Sequence, residues 1–201
     1  MAVAAVIFDV GNVLYQWSLR DLFAKLIPDG DGLDWFLAHV VTPEWHFAHD
    51  AGTPLGQMYA ERSAQFPDHA HLIHAYTTRF NETLEHPVPG MVELVEELAA
   101  RDVPIYGITN FGSEFWDAFR PTAPVFDHFR DIVVSGKERV VKPDPAIYRL
   151  ALDRFGLSGP DSIFVDDRDD NIAAAEAFGI RGHHFSDADK LRAELVSLGL
   201  L

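Results

Sequence analysis

Residues 2–13 read AVAAVIFDVGNV, and the fold turns on them. Ala2 to Val10 is a short continuous apolar run bounded by Asp9 and Gly11, the pattern of a strand covered on both faces. Similar runs recur at Val103 to Ile108, Asp131 to Val134, Ser162 to Val165 and Gly182 to Phe185, and helical patterns separate the last four. Strands alternating with helices predict an α/β protein with a doubly wound parallel sheet.

The intervening helices declare themselves locally. From Met91 to Ala100, the apolar residues Met91, Leu94, Val95 and Leu98 fall at i, i+3, i+4 and i+7, while Glu93, Glu96 and Glu97 face elsewhere. In KPDPAIYRLALDRFG, residues 142–156, Asp144 suits the N-cap, Pro145 the first helical position and Gly156 the C-terminal stop. Between Trp17 and His86 the strand pattern disappears. That stretch reads as helices broken at Pro28-Asp-Gly, Thr42-Pro43, Gly52-Thr-Pro54 and Phe66-Pro67. The expected organisation is therefore an α/β core formed by 1–16 and 87–201, with 17–86 inserted as a helical cap.

Bulk composition narrows the chemistry. With 48% hydrophobic residues in 201, the chain can bury a real core, and with no cysteine it has no disulfide, thiolate metal site or cysteine nucleophile. A reducing, cytoplasmic setting is the expectation. The N-terminal apolar run lacks a basic start and is interrupted by Asp9, so it reads as neither signal peptide nor membrane anchor. Sixteen basic against 31 acidic residues leave a formal charge of −15. That charge repels nucleic acid and anionic membranes, and no Lys/Arg cluster reverses it. A small anionic substrate meets the same repulsion, which calls for a bound cation or a focused local charge.

In an open parallel sheet, ligands bind beyond the carboxyl ends of the strands. Four segments end there in polar residues: Asp9-Val-Gly-Asn-Val, Thr109-Asn110-Phe-Gly-Ser, the loop with Val141-Lys142-Pro143, and Asp166-Asp167-Arg-Asp-Asp-Asn171. The set fits phosphoryl transfer, in which a carboxylate attacks phosphorus while donors and cations offset the charge on the other oxygens. Asp9 is the candidate nucleophile. The Thr109 hydroxyl and neighbouring N–H groups are candidates to grip phosphate, and Lys142 is placed to meet both Asp9 and the phosphoryl group. Asp167 beside Asp9 offers the hard oxygen donors suited to Mg²⁺.

The order Asp9-x-Gly-Asn-Val, Ile108-Thr109-Asn110, Lys142-Pro143 and Val165-Asp166-Asp167-x₃-Asn171 resembles the four motifs of the haloacid dehalogenase superfamily, with a helical cap after the first. The resemblance implies Mg²⁺-dependent hydrolysis of a small phosphorylated metabolite through an aspartyl-phosphate on Asp9. By it, Asp9, the Gly11 carbonyl and Asp167 ligate the metal, and Asn12, Thr109, Asn110 and Lys142 bind substrate phosphate. Asp166 and Asn171 support the site from behind. The FDxGNV form also resembles a bacterial subgroup that includes an α-glucose-1-phosphate phosphatase.

The pattern departs at Gly11, where most phosphatases of the superfamily carry a second Asp serving as general acid and base. A positioned acid or base is worth about 10²–10⁴-fold in rate. A substrate with a good leaving group, such as an anomeric or acyl phosphate, is the favoured explanation. The alternatives are a cap residue such as His46 standing in, or a phosphate-binding protein without turnover. The other enzyme reading is a 2-haloacid dehalogenase, against which the Asp166-Asp167 pair argues, since unneutralised carboxylates disfavour an anionic substrate. His46 and His49, three apart, have a spacing that could ligate a metal but no evident third ligand, and the same holds for His69, His71 and His74. Tyr15, Trp17, Phe111 and Trp116 are aromatic candidates for either the pocket or the hinge packing.

Overall fold

The computed structural model describes residues 3–201, so Ala2 of the first apolar run lies outside the described residues. Five parallel strands form one sheet: β1 (Ala5–Phe8), β2 (Ile105–Thr109), β3 (Asp131–Val134), β4 (Ser162–Asp166) and β5 (Arg181–His184), in the order β3-β2-β1-β4-β5. Each strand is where its apolar run predicts it. β1 is shorter at both ends than its apolar run, and the bounds of β2, β4 and β5 move by one or two residues, which takes Thr109 and Asp166 into the strands themselves.

The alternation of β1 explains why both faces are covered. Val6 and Phe8 point into one core, while Ala5 and Ile7 point into another. The first core is closed by the helices Met91–Ala100 and Ala188–Ser197, through Met91, Leu94, Val95, Leu98, Leu191 and Leu195. The second is closed by Pro145–Phe155 and Asp169–Glu176, through Ile147, Tyr148, Ala151, Ile172 and Ala175. Each buried Met, Leu, Val or Ile among them contributes roughly 1.5–3 kcal/mol by leaving water. The predicted caps hold: the Asp144 side chain accepts from the backbone N–H of Ala146, and Gly156 ends its helix in a left-handed conformation, φ 67°.

Residues 17–86 carry the helices Leu19–Phe23, Gly30–His39, Pro43–Asp50, Leu55–Gln65 and Ala70–Thr78, broken at the four places the sequence marks. The chain leaves the sheet and returns to it side by side, with Gln16 N–H donating to His86 O (2.9 Å) and Val88 N–H to Leu14 O (2.9 Å). Apolar residues of this segment, among them Phe36, Tyr76 and Phe80, join the first core through Phe111 and Phe115. Phe80 stacks on Phe115 with ring centroids 3.8 Å apart. No helix among the described residues is long and apolar enough to cross a membrane.

Candidate active site

The sheet register decides which carboxylates meet. β1 pairs in parallel with β4, with Phe8 opposite Val165, so the next residues, Asp9 and Asp166, emerge side by side at the carboxyl end. Asp9 N–H still donates to Val165 O at 2.9 Å, which ties the nucleophile candidate to the end of the ladder. Two acids so close need a cation between them. Lys142 supplies it: its Nζ is 2.8 Å from Asp9 Oδ1 and 2.7 Å from Asp166 Oδ2, with only 2% of the residue exposed.

Burial alone would lower the Lys142 ammonium, but Asp9 and Asp166 together carry it above the ordinary lysine value. Burial also pushes the Asp9 carboxyl up to about 7, opposed by Lys142 and helped by Asp166. Asp9 Oδ1 is occupied by Lys142 and the Val10 N–H (2.7 Å), whereas Oδ2 accepts no hydrogen bond among the described residues. Asp9 lines a cavity of about 390 Å³ between the sheet and the inserted helices.

Asp9, Asp166 and Asp167 each present a carboxylate oxygen, all within 4.8 Å of one another. The three are not equivalent as donors. Asp166 is fully buried, and its oxygens accept from Lys142 Nζ, the Arg168 N–H (2.9 Å) and the Asn171 amide (2.9 and 3.1 Å). Its lone pairs are already used. Asp167 is held only by a long contact from Asn12 Nδ2, 3.4 Å, and burial together with Asp166 raises its carboxyl above the usual carboxylate range. The Gly11 carbonyl accepts no backbone N–H among the described residues. The open oxygens of Asp9 and Asp167 with the Gly11 carbonyl therefore fit a hard divalent cation.

Asp9, Gly11, Asn12, Asn110, Lys142 and Asp167 all line the cavity. Asp166 and Asn171 stand behind it, and the Asn171 side chain is held to Asp166 as described. Thr109 ends β2 and is 1% exposed, outside the residues that line the cavity. The Asn110 amide is spent on Lys142: Nδ2 donates to Lys142 O (3.0 Å) and Oδ1 accepts from Lys142 N–H (2.8 Å). Its side chain braces the lysine loop, which leaves its backbone for contact with a ligand. Asn12 adopts φ 57°, and its Oδ1 accepts from Trp17 N–H at 3.0 Å, so this residue shapes the turn as well as meeting Asp167.

The remaining sequence candidates separate cleanly. Trp17 and Phe111 line the cavity, while Tyr15 packs edge-on to Phe119 (5.0 Å) and Trp116 lies against Phe126 (5.1 Å). His46 is stacked between Trp17 and Phe80, with centroids at 5.0 and 5.5 Å. His49 is fully buried, its Nδ1 2.9 Å from Thr53 O, and packs against Gly112 so closely that a Cβ there would lie 1.9 Å from the imidazole. His69 lies among Trp35, Phe36 and Phe66, and His71 and His74 are exposed. Sequence reasoning passed over the apolar cavity residues Phe47, Phe80 and Leu84 and one cavity carboxylate, Asp50, which ends the helix Pro43–Asp50 and is 5% exposed. The only sequence signal was its place four residues after His46, one helical turn away.

Known proteins share the family and the fold. A sesquiterpene phosphatase from Aspergillus oryzae is 29% identical over 192 residues, covering 92% of this chain and 90% of its own length. A HAD family enzyme from Bacteroides thetaiotaomicron, solved with magnesium and inorganic phosphate, shares the fold with a TM-score of 0.74 at 18% identity, over 94% of this chain and 98% of that one. An L-2-haloacid dehalogenase from Xanthobacter autotrophicus shares it with a TM-score of 0.66 at 20% identity, over 97% of this chain and 83% of that one. The family model for haloacid dehalogenase-like hydrolases matches residues 3–179, and this chain belongs to that family.

Proposed function

We propose that the chain is a Mg²⁺-dependent phosphatase that hydrolyses a small phosphate monoester through an aspartyl-phosphate on Asp9. The observation that carries this reading is the asymmetry of Asp9, whose Oδ1 is fixed by Lys142 while Oδ2 stays open at the cavity. Oδ2 attacks phosphorus. Lys142 holds the carboxylate in place and offsets charge on the phosphoryl oxygens, with the Asn110 backbone as a further donor and Thr109 buried at the end of β2 behind it. Asp9, Asp167 and the Gly11 carbonyl would hold Mg²⁺, which supplies positive charge to an anionic phosphate in a chain of net charge −15. The Asp166–Asn171 pair keeps Lys142 aligned from behind. Residues 17–86 act as the cap that covers the bound ester.

The cavity wall supports an apolar alcohol as the leaving group. Trp17, Pro43, Phe47, Phe80, Leu84 and Phe111 contribute to it, a lining that suits hydrocarbon better than sugar hydroxyls. The similar relative named a sesquiterpene phosphatase points the same way. A sugar-1-phosphate remains the second reading, favoured by the FDxGNV motif. The test is phosphate release from an isoprenoid alkyl phosphate and from α-glucose 1-phosphate, with Mg²⁺ or EDTA, by wild type and Asp9→Asn. Mg²⁺- and Asp9-dependent turnover of the alkyl ester is expected. Turnover of the sugar phosphate alone selects the second reading, and halide release from a 2-haloacid in EDTA would overturn both.

A further inference from the structure

The gap at Gly11 leaves a phosphatase without its usual proton donor, and the cavity holds one unassigned carboxyl. Asp50 reaches the cavity from the helix Pro43–Asp50. Its Oδ2 lies 3.4 Å from His46 Nε2, and its buried Oδ1 has no hydrogen-bond partner. His46 in turn has Nδ1 2.7 Å from the Tyr76 hydroxyl. One tautomer suits this chain, with Tyr76 O–H donating to Nδ1 and the Nε2–H beside Asp50 Oδ2, while the buried, unpartnered Oδ1 favours a carboxyl that keeps its proton at the cavity wall.

The backbone of Asp50 is as firmly placed as its side chain. Ser135 Oγ donates to Asp50 O at 2.6 Å and accepts from Phe111 N–H at 3.0 Å, so the end of this helix is bolted to the loops after β2 and β3. A side chain on the inserted segment is thus registered against the residues of the sheet. We infer that Asp50 is the general acid and base of this enzyme, replacing the carboxylate missing at Gly11, with His46 as its positioning residue. This assignment rests on the phosphatase reading above.

The proton accounting closes. As Asp9 Oδ2 bonds to phosphorus, the P–O bond to the leaving group breaks, its electron pair stays on the leaving oxygen, and that oxygen takes the Asp50 proton to depart as an alcohol. Asp50, now a carboxylate, removes a proton from the water that attacks the aspartyl-phosphate. The P–O bond to Asp9 breaks, its pair returns to the Asp9 carboxylate, and phosphate leaves with Asp50 protonated again. The charged and titratable groups around Asp50 suit this cycle. His46 and His49 lie on its own helix, Tyr76 on Ala70–Thr78, Asp9 after β1 and Lys142 on the loop after β3. Burial pushes the Asp50 carboxyl up to about 8, with Asp9 acting in the same direction and the Gly112 N–H and Lys142 opposing. His46 is pushed down to about 3 by burial and His49, so it stays neutral.

The test compares two esters of nearly equal shape, p-nitrophenyl phosphate and benzyl phosphate, in Mg²⁺ buffer. Nitrophenolate leaves without a proton, whereas the benzyl alkoxide needs one. Asp50→Asn should lower kcat/KM for benzyl phosphate by roughly 10²–10⁴-fold while p-nitrophenyl phosphate falls by less than about tenfold. The second ester also reports that the variant is folded. His46→Asn should lose in the same leaving-group-dependent way. Equal losses on both esters, or none on either, overturn the role of Asp50. Failure of the wild type on both esters overturns the phosphatase reading itself.

Discussion

Lys142 Nζ stands 2.8 Å from Asp9 Oδ1 inside a site where the lysine is almost wholly shut off from water. Removing one partner of such a pair leaves uncompensated charge. Lys142→Met keeps the volume but strands Asp9 and Asp166, so we expect a loss of roughly 3–5 kcal/mol in unfolding free energy. Phosphatase activity should fall by at least about 10²-fold. Denaturant unfolding and Mg²⁺-dependent turnover check the two effects, and a variant as stable as wild type would contradict the buried ion pair.

Gly11 has room for the carboxylate it lacks. A Cβ built there meets only Trp17 Cβ, at 3.8 Å, and its φ lies outside the left-handed region. In an Asp50→Asn background, Gly11→Asp should restore much of the kcat/KM for benzyl phosphate. In the wild type it should change that value by less than about tenfold. No recovery in the double variant would place the leaving group away from Gly11.

The buried acid should make stability depend on pH. Burial holds the proton on Asp50 in the folded state up to about 8, whereas the unfolded chain releases it near the ordinary carboxylate value of 3.8. A raised folded pKa contributes stability below the unfolded value, and that contribution is lost as pH rises towards the folded one. Asp50→Asn has no such proton to lose. Relative to wild type, the variant should therefore gain stability from pH 4 to pH 8, by an amount on the order of a few kcal/mol. Urea midpoints at both pH values measure it, and parallel behaviour of the two proteins would show Asp50 ionised at neutral pH.

Gly112 is held to glycine by contact, since its added Cβ would strike the His49 ring. Gly112→Ala should cost roughly 1–3 kcal/mol through overpacking. It should also shift the helix that ends in Asp50, so benzyl phosphate turnover should drop further than p-nitrophenyl phosphate turnover. An unchanged ratio of the two rates would show that His49 yields without moving the helix.

The strands were legible because a run buried on both faces is apolar without interruption, whatever lies elsewhere in the chain. Asp144, Pro145 and Gly156 were equally legible, since capping is settled within a few residues. Asp9, Lys142 and Asp167 could be read jointly because each follows a strand. Asp50 could not. A carboxylate near the end of a helix looks the same in sequence whether solvent or protein surrounds it, and the cavity wall around Asp50 includes Trp17, Phe80 and Lys142 from three distant segments. Asn110 was legible as a site residue but its bracing role was not, because the backbone that satisfies its amide belongs to Lys142, 32 positions away.

The same register that sets Asp9 beside Asp166 has a consequence during synthesis. The first strand leaves the ribosome together with Asp9, yet its neighbour β4 follows more than 150 residues later, and Asn12 and Asp167, which meet in the finished site, are 155 positions apart. Pairing over such a separation waits on the closure of a long loop. A nascent chain that has not reached Asp167 therefore carries Asp9 without the carboxylate that meets Asn12 in the folded protein. On the phosphatase reading, turnover waits until β4 has been translated and docked beside β1.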